Sequence, residues 1–181
     1  MKYLKTLLLL FTFIILAAFK IDFPIPVELD WNKHYNGKPD NNSPYFALTA
    51  MTWKYSYSSK VSKNKVLVNF VNEFTVDPNR SWVKLEKIRN EEMSQSLLHH
   101  EQGHVNIQNI LKIEANRVLK SQTYSVKNYK NEIATLANSI SAFYNTMQNN
   151  YDIETEHGAN HKMQARWDKI IEEKTLEVSN L

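Results

Sequence analysis

The sequence predicts an α+β fold: a small antiparallel sheet towards the N-terminus, a helical hairpin after it, and a final C-terminal helix. Three observations carry that expectation. Residues 45–58 and 65–76 are rich in Val, Phe, Tyr, Trp and Thr, the side chains that suit a pleated, half-buried surface. No proline occurs after Pro78, so nothing of that kind interrupts a long helix. Beyond residue 92 the apolar residues recur at helical spacing. With 181 residues, 43% of them hydrophobic, the chain supports one core, and residues 21–181 are expected to form a single domain.

Residues 1–20 stand apart. Lys2 and Lys5 precede an apolar stretch over 7–19, broken only by Thr12, with Ala17 and Ala18 where a signal peptidase would cut. A bilayer span needs about 20 such residues, so a cleaved secretory signal is expected, with a short inner-membrane anchor as the alternative. The protein is thus expected to be exported, to the periplasm or outside the cell, and to meet a membrane only if the leader stays. Losing Lys2 and Lys5 lowers the formal net charge of +3 by two units. No dense basic run remains, and no nucleic-acid partner is expected.

Residues 21–45 hold Pro24, Pro26, Pro39 and Pro44 with Asn36-Gly37 and Asn41-Asn42, which reads as extended chain and turns. In the second apolar run Val66, Val68, Phe70, Phe74 and Val76 share one parity. The two runs are expected to pair across the segment 59–64, with Lys60, Lys63 and the adjoining Lys65 in a solvated turn. Asp77-Pro78-Asn79 closes this region. A first long helix is expected over about 92–119. A second, over about 125–149, carries the stripe Val126, Tyr129, Ile133, Leu136, Ile140, Phe143 and Met147. A polar loop over 151–160 and a third helix over about 163–178 complete the chain.

The chain has no Cys, and its three Gly stand at 37, 103 and 158. Disulfides, thiolate metal sites and glycine-rich phosphate loops are excluded, so any metal site must use imidazole and carboxylate. His100-Glu101-Gln102-Gly103-His104 is H-E-x-x-H on a helix. Residues four apart project from one face, so His100 and His104 can share a metal while Glu101 reaches its water as general base. Zinc suits such ligands and acidifies that water. Gly103 costs about 1 kcal/mol against Ala inside a helix, which points to a close approach to the backbone. If the two long helices form an antiparallel hairpin, the longer return leg delivers residues from Tyr151 onward to the first turns of the metal-binding helix.

The pairing of His-Glu-Gln-Gly-His with Tyr151-Asp152-x-x-Thr155-x-His157-Gly158 resembles a bacterial family of predicted secreted zinc-dependent proteases, catalogued as a domain of unknown function. Ser81-Trp82 is a further match. The resemblance spans about 25–175 and implies a zincin-like metallopeptidase in which His100 and His104 bind metal and Glu101 is the base. For the third ligand His157 is favoured, since imidazole completes a three-His site and Gly158 permits a tight turn. Glu154 comes second and Asp152 third. Asp152 and Glu156 can otherwise accept a ring N–H from a ligand, Tyr151 can donate to an oxyanion, and His161 can share the face of His157. His99 reads as a neighbour of the site, and His34 has no evident partner. The function expected is a zinc hydrolase acting on peptide or protein substrates; the alternative is a non-catalytic cell-envelope binding protein braced by zinc.

Overall fold

A computed structural model describes residues 27–179; the leader, Pro24 and Pro26 lie outside them. The fold is mixed α+β, with two small antiparallel sheets ahead of three long helices. After a one-turn helix α1 (Trp31–His34), capped by the Asp30 carboxylate, the chain runs through strands β1 (Ala47–Leu48), β2 (Met51–Ser62), β3 (Lys65–Val76) and β4 (Trp82–Val83). Helices α2 (Glu91–Ser121), α3 (Tyr129–Thr155) and α4 (His161–Ser179) follow.

Strands β2 and β3 form a hairpin paired from Met51↔Val76 to Ser62↔Lys65. The turn is therefore Lys63-Asn64, with Lys63 left-handed at φ 53°, rather than the six residues expected. Val66 and Val68 keep the inward parity of Phe70, Phe74 and Val76 and pair with Val61 and Ser59, so the ladder runs on to the tip although the β2 side is exposed there. Upstream, the first apolar run divides. Ala47 and Leu48 pair with Val83 and Trp82 in a separate sheet, and the chain changes partner at Ala50, whose N–H donates to the buried Ser81 hydroxyl (2.9 Å). Ser81 in turn donates to the Asp77 carbonyl (2.8 Å).

The α2 helix begins at Asn90, whose side chain accepts from the Met93 N–H (2.9 Å) with Glu91 and Glu92 in the first turn, a favourable cap and charge arrangement. Its inner face meets the sheet hairpin, α3 and α4. Phe70, Ile107, Ile110, Leu111, Ala115, Leu119, Ile133 and Ala137 share the main core with Trp167 and Ile171.

Two expectations about α3 change. It continues through 150–155, so Tyr151, Asp152 and Thr155 stand on a helix and only 156–160 form the loop. The polar residues there do not break the helix because Ile153 and Glu154 face solvent while Tyr151 and Thr155 face inward. The buried stripe is Ile133, Ala137, Tyr144, Tyr151 and Thr155, whereas Val126 and Phe143 are exposed. With α2 and α4 both packed against α3, the covered face is displaced from the one its apolar spacing suggests.

Candidate metal centre

Three imidazoles converge on one oxygen. Asp152 Oδ1 lies 3.2 Å from His100 Nε2, 2.9 Å from His104 Nε2 and 3.2 Å from His157 Nδ1. His100, Asp152 and His157 each offer a ligand atom, all within 4.8 Å of one another, and this group could hold a metal ion. His104 joins it through the same carboxylate oxygen. The antiparallel hairpin of α2 and α3 brings these residues together, as helix length arithmetic requires.

The five residues of the H-E-x-x-H segment have distinct tasks. His100 and Glu101 are buried. Gln102, on the other side of α2, accepts from the Leu29 N–H (2.8 Å) and donates to the Val27 carbonyl (3.0 Å), pinning the N-terminal segment. Gly103 lies under Tyr151: a Cβ there would stand 2.2 Å from the Tyr151 hydroxyl. The close approach inferred for Gly103 is thus made by an aromatic ring, which stacks on His100 with centroids 4.6 Å apart.

The ring nitrogens facing away from Asp152 are also held. His104 Nδ1 donates to Gln148 Oε1 (2.5 Å), and the Gln148 amide is oriented by donating to the His104 carbonyl (2.9 Å). His100 Nδ1 faces Gln164 Oε1 at 3.2 Å. Each of these imidazoles has acceptors at both ring nitrogens. It can satisfy them as an imidazolium, or as the neutral Nδ1–H tautomer with a cation at Nε2. The site therefore calls for positive charge between the rings and Asp152. Burial works to raise the Asp152 carboxyl. Hydrogen bonds from His100 and His104, with the charges of His104 and His157, outweigh it and hold the group well below the ordinary carboxylate range. Burial likewise opposes a charge on His104, but the Asp152 hydrogen bond and the Glu101 and Asp152 charges raise it.

Glu101 is positioned by a relay absent from the sequence reading. Thr49 Oγ1 donates to Glu101 Oε2 (2.5 Å) and has one proton to give, so the Tyr35 hydroxyl, 2.6 Å away, donates to Thr49. Burial first, then the Glu101 charge, push the Tyr35 phenol above its ordinary value, which keeps that proton in place. Glu101, His100, His104, Asp152 and His157 all border a cleft of about 620 Å³ whose far wall includes Tyr45 and Leu48.

His157 reaches the site from an unusual backbone. Glu156, His157 and Gly158 are consecutively left-handed, with φ of 51°, 53° and 85°, and Gly158 closes over His100, where a Cβ would stand 2.8 Å from the His100 Cβ. Tyr45 packs against the His157 ring (centroids 4.1 Å, planes 39° apart).

The remaining expected residues are placed as follows. Glu154, the second choice of ligand, faces away and accepts from Trp167 Nε1 (3.0 Å). Glu156 borders the cleft and accepts from the Asn160 amide (3.2 Å). His161 is exposed at the start of α4, beside a smaller cavity bordered by His157 and Phe46. Tyr151 is buried and gives its proton to the His100 carbonyl (2.9 Å), which occupies it structurally. His99 pairs with Asp168 (3.0 Å), and His34 Nδ1 accepts from the Asp30 N–H (3.0 Å). Gln148, Gln164, Thr49 and Tyr35 carry no signal in the sequence, whereas Thr155 belongs to the second motif and lies 3.4 Å from His100 Nδ1.

The sequence model of a bacterial family, described as bacterial protein of unknown function (DUF922), matches residues 28–158. No curated protein and no solved structure matches the chain.

Proposed function

We propose that this chain, which belongs to the DUF922 family of bacterial proteins of unknown function, is an exported zinc-dependent hydrolase that cleaves peptide bonds in peptide or protein substrates. The observation that carries this reading is the convergence of His100, His104 and His157 on one point, 2.9–3.2 Å from each ring, with Glu101 on the wall of the same cleft. The residues fit the metal: the tautomers of His100 and His104 are set from behind by Gln164 and Gln148, and one nitrogen of each of the three rings faces the Asp152 carboxylate. Zinc, when bound, supplies a Lewis acid that polarises a carbonyl and acidifies a water.

His100, His104 and His157 hold the ion. Glu101, steadied by Thr49, takes a proton from the attacking water and returns it to the leaving amine, the ordinary work of a general base and acid. An extended substrate lies along the cleft beside Tyr45 and Leu48, and β1 offers a strand for it to pair with. Glu101→Gln is expected to keep one zinc per chain while lowering peptide hydrolysis by about 10²–10⁴-fold. The measurement is metal analysis beside cleavage of a peptide library, and undiminished cleavage in this variant would remove Glu101 from the role.

The position of Asp152 favours a second reading. Its oxygen sits at the meeting point of the three rings, so it can close a four-ligand set, and closed sites brace folds rather than catalyse. On that reading the zinc-loaded chain is stable and hydrolyses nothing, and Asp152→Ala leaves it inactive. On the first reading the chain is active with zinc.

A further inference from the structure

We infer that the C-terminal helix α4 is a working part of the metal centre, and that Gln164 on it is the positioning residue that aims His100. The inference rests on the metal-binding reading above and adds an element that lies beyond residues 28–158, the segment shared with the family.

Gln164 is buried against α2 and α3, and every polar atom of its side chain is committed. Its Nε2 carries two protons, one donated to Asp168 Oδ1 (2.9 Å) and one to the Tyr151 hydroxyl (2.8 Å). Tyr151 then gives its own proton to the His100 carbonyl (2.9 Å). These bonds fix which end of the amide is oxygen, and that oxygen faces His100 Nδ1 at 3.2 Å. A carbonyl accepts only from an N–H, so Nδ1 keeps the proton and Nε2 is left as the metal-directed nitrogen. Asp168 stabilises the arrangement from outside, held by His99 Nε2 at 3.0 and 3.1 Å.

The same task is done for His104 by Gln148 on α3. The two Nε2 ligands are therefore aimed by amides from two different helices, α3 and α4. Docking of α4 and binding of zinc are consequently linked: α4 in place improves the His100 ligand, and by thermodynamic reciprocity zinc must hold α4 in place.

Gln164→Met removes the acceptor at nearly constant volume and is expected to weaken zinc binding by about 10–100-fold, measured by competition with a chromophoric chelator. In Gln164→Glu/Asp168→Asn the amide and carboxylate exchange places. Glu accepts from Nδ1, and from Tyr151 once that hydroxyl turns its one proton from the His100 carbonyl to the carboxylate; Asn donates to Glu, and most of the lost affinity should return. A merely space-filling residue would give no such recovery. Zinc should also slow amide hydrogen exchange along α4 in the unaltered protein, a readout that does not depend on any variant folding. Absence of stoichiometric zinc in the unaltered protein overturns both this inference and the reading it rests on. Zinc bound with unchanged affinity by folded Gln164→Met, or no protection of α4 by zinc, overturns this inference alone.

Discussion

The two ends of the α2–α3 hairpin are built from different materials. Where α2 ends and α3 begins, the buried residues are Ala115, Leu119, Tyr124, Ile133 and Ala137, and the strength of the join lies in apolar area removed from water. At the opposite end the buried residues include His100, Glu101, Tyr151, Thr155 and Gln164, held by hydrogen bonds to one another or, for Glu101, to Thr49, with little net stabilisation unless every partner is present. The same two helices thus hold together unconditionally at one end and conditionally at the other, the condition being positive charge between the imidazoles and Asp152.

That contrast can be broken by experiment. The largest effect expected is at the polar end: zinc at about a thousand times its dissociation constant should stabilise the fold by about 4 kcal/mol, and His104→Ala should abolish the gain. Equal melting temperatures with zinc and with chelator would show that the two ends do not differ. The next concerns the apolar end. Leu119→Ala should cost about 2–5 kcal/mol, by the same amount with and without zinc, as read from denaturant unfolding; a zinc-dependent cost would mean that the ends are coupled. The smallest lies at the turn into α3, where the Ser125 hydroxyl and then the Ser125 N–H bond the Glu132 carboxylate and lower its pKa from the ordinary 4.5. A carboxyl lowered by folding contributes stability that is present above its unfolded pKa and lost as pH falls through the lower folded value. Glu132→Gln should therefore be slightly less stable than the unaltered protein at neutral pH and equal to it once both are acidified, in parallel melts across pH 3–7. A gap that persists or widens on acidification would contradict this.

The conditional end was the more legible of the two in the sequence, for a physical reason. Helix geometry is rigid, so His100 and His104 four residues apart must share a face, and a return leg longer than the outgoing one must deliver Asp152 and His157 to them. Less legible are the groups behind the imidazoles. Gln148, Gln164 and Thr49 have no period and no spacing relative to the histidines; an amide becomes a positioning group only when packing presents its oxygen to a ring nitrogen. The choice between Glu154 and Asp152 is likewise invisible in a sequence whose polar residues over 151–160 predict a loop. Once α3 continues to Thr155, the two residues point in different directions, Asp152 to the rings and Glu154 to Trp167. At the apolar end the spacing of Ile133 was informative and that of Phe143 was not, because the contest between Phe143 and Tyr144 is decided by which neighbours cover α3.

The left-handed run at 156–158 has a consequence for how this chain can vary. Glu156 and His157 hold a conformation that costs an L-residue roughly 1–2 kcal/mol and a glycine almost nothing. At 156 a glycine relieves the strain and takes only a rim carboxylate from the cleft. At 157 the same change removes the imidazole that the turn exists to present. Backbone ease and the approach of the imidazole to Asp152 thus make opposing demands on one position, and in this chain the second is met at the expense of the first.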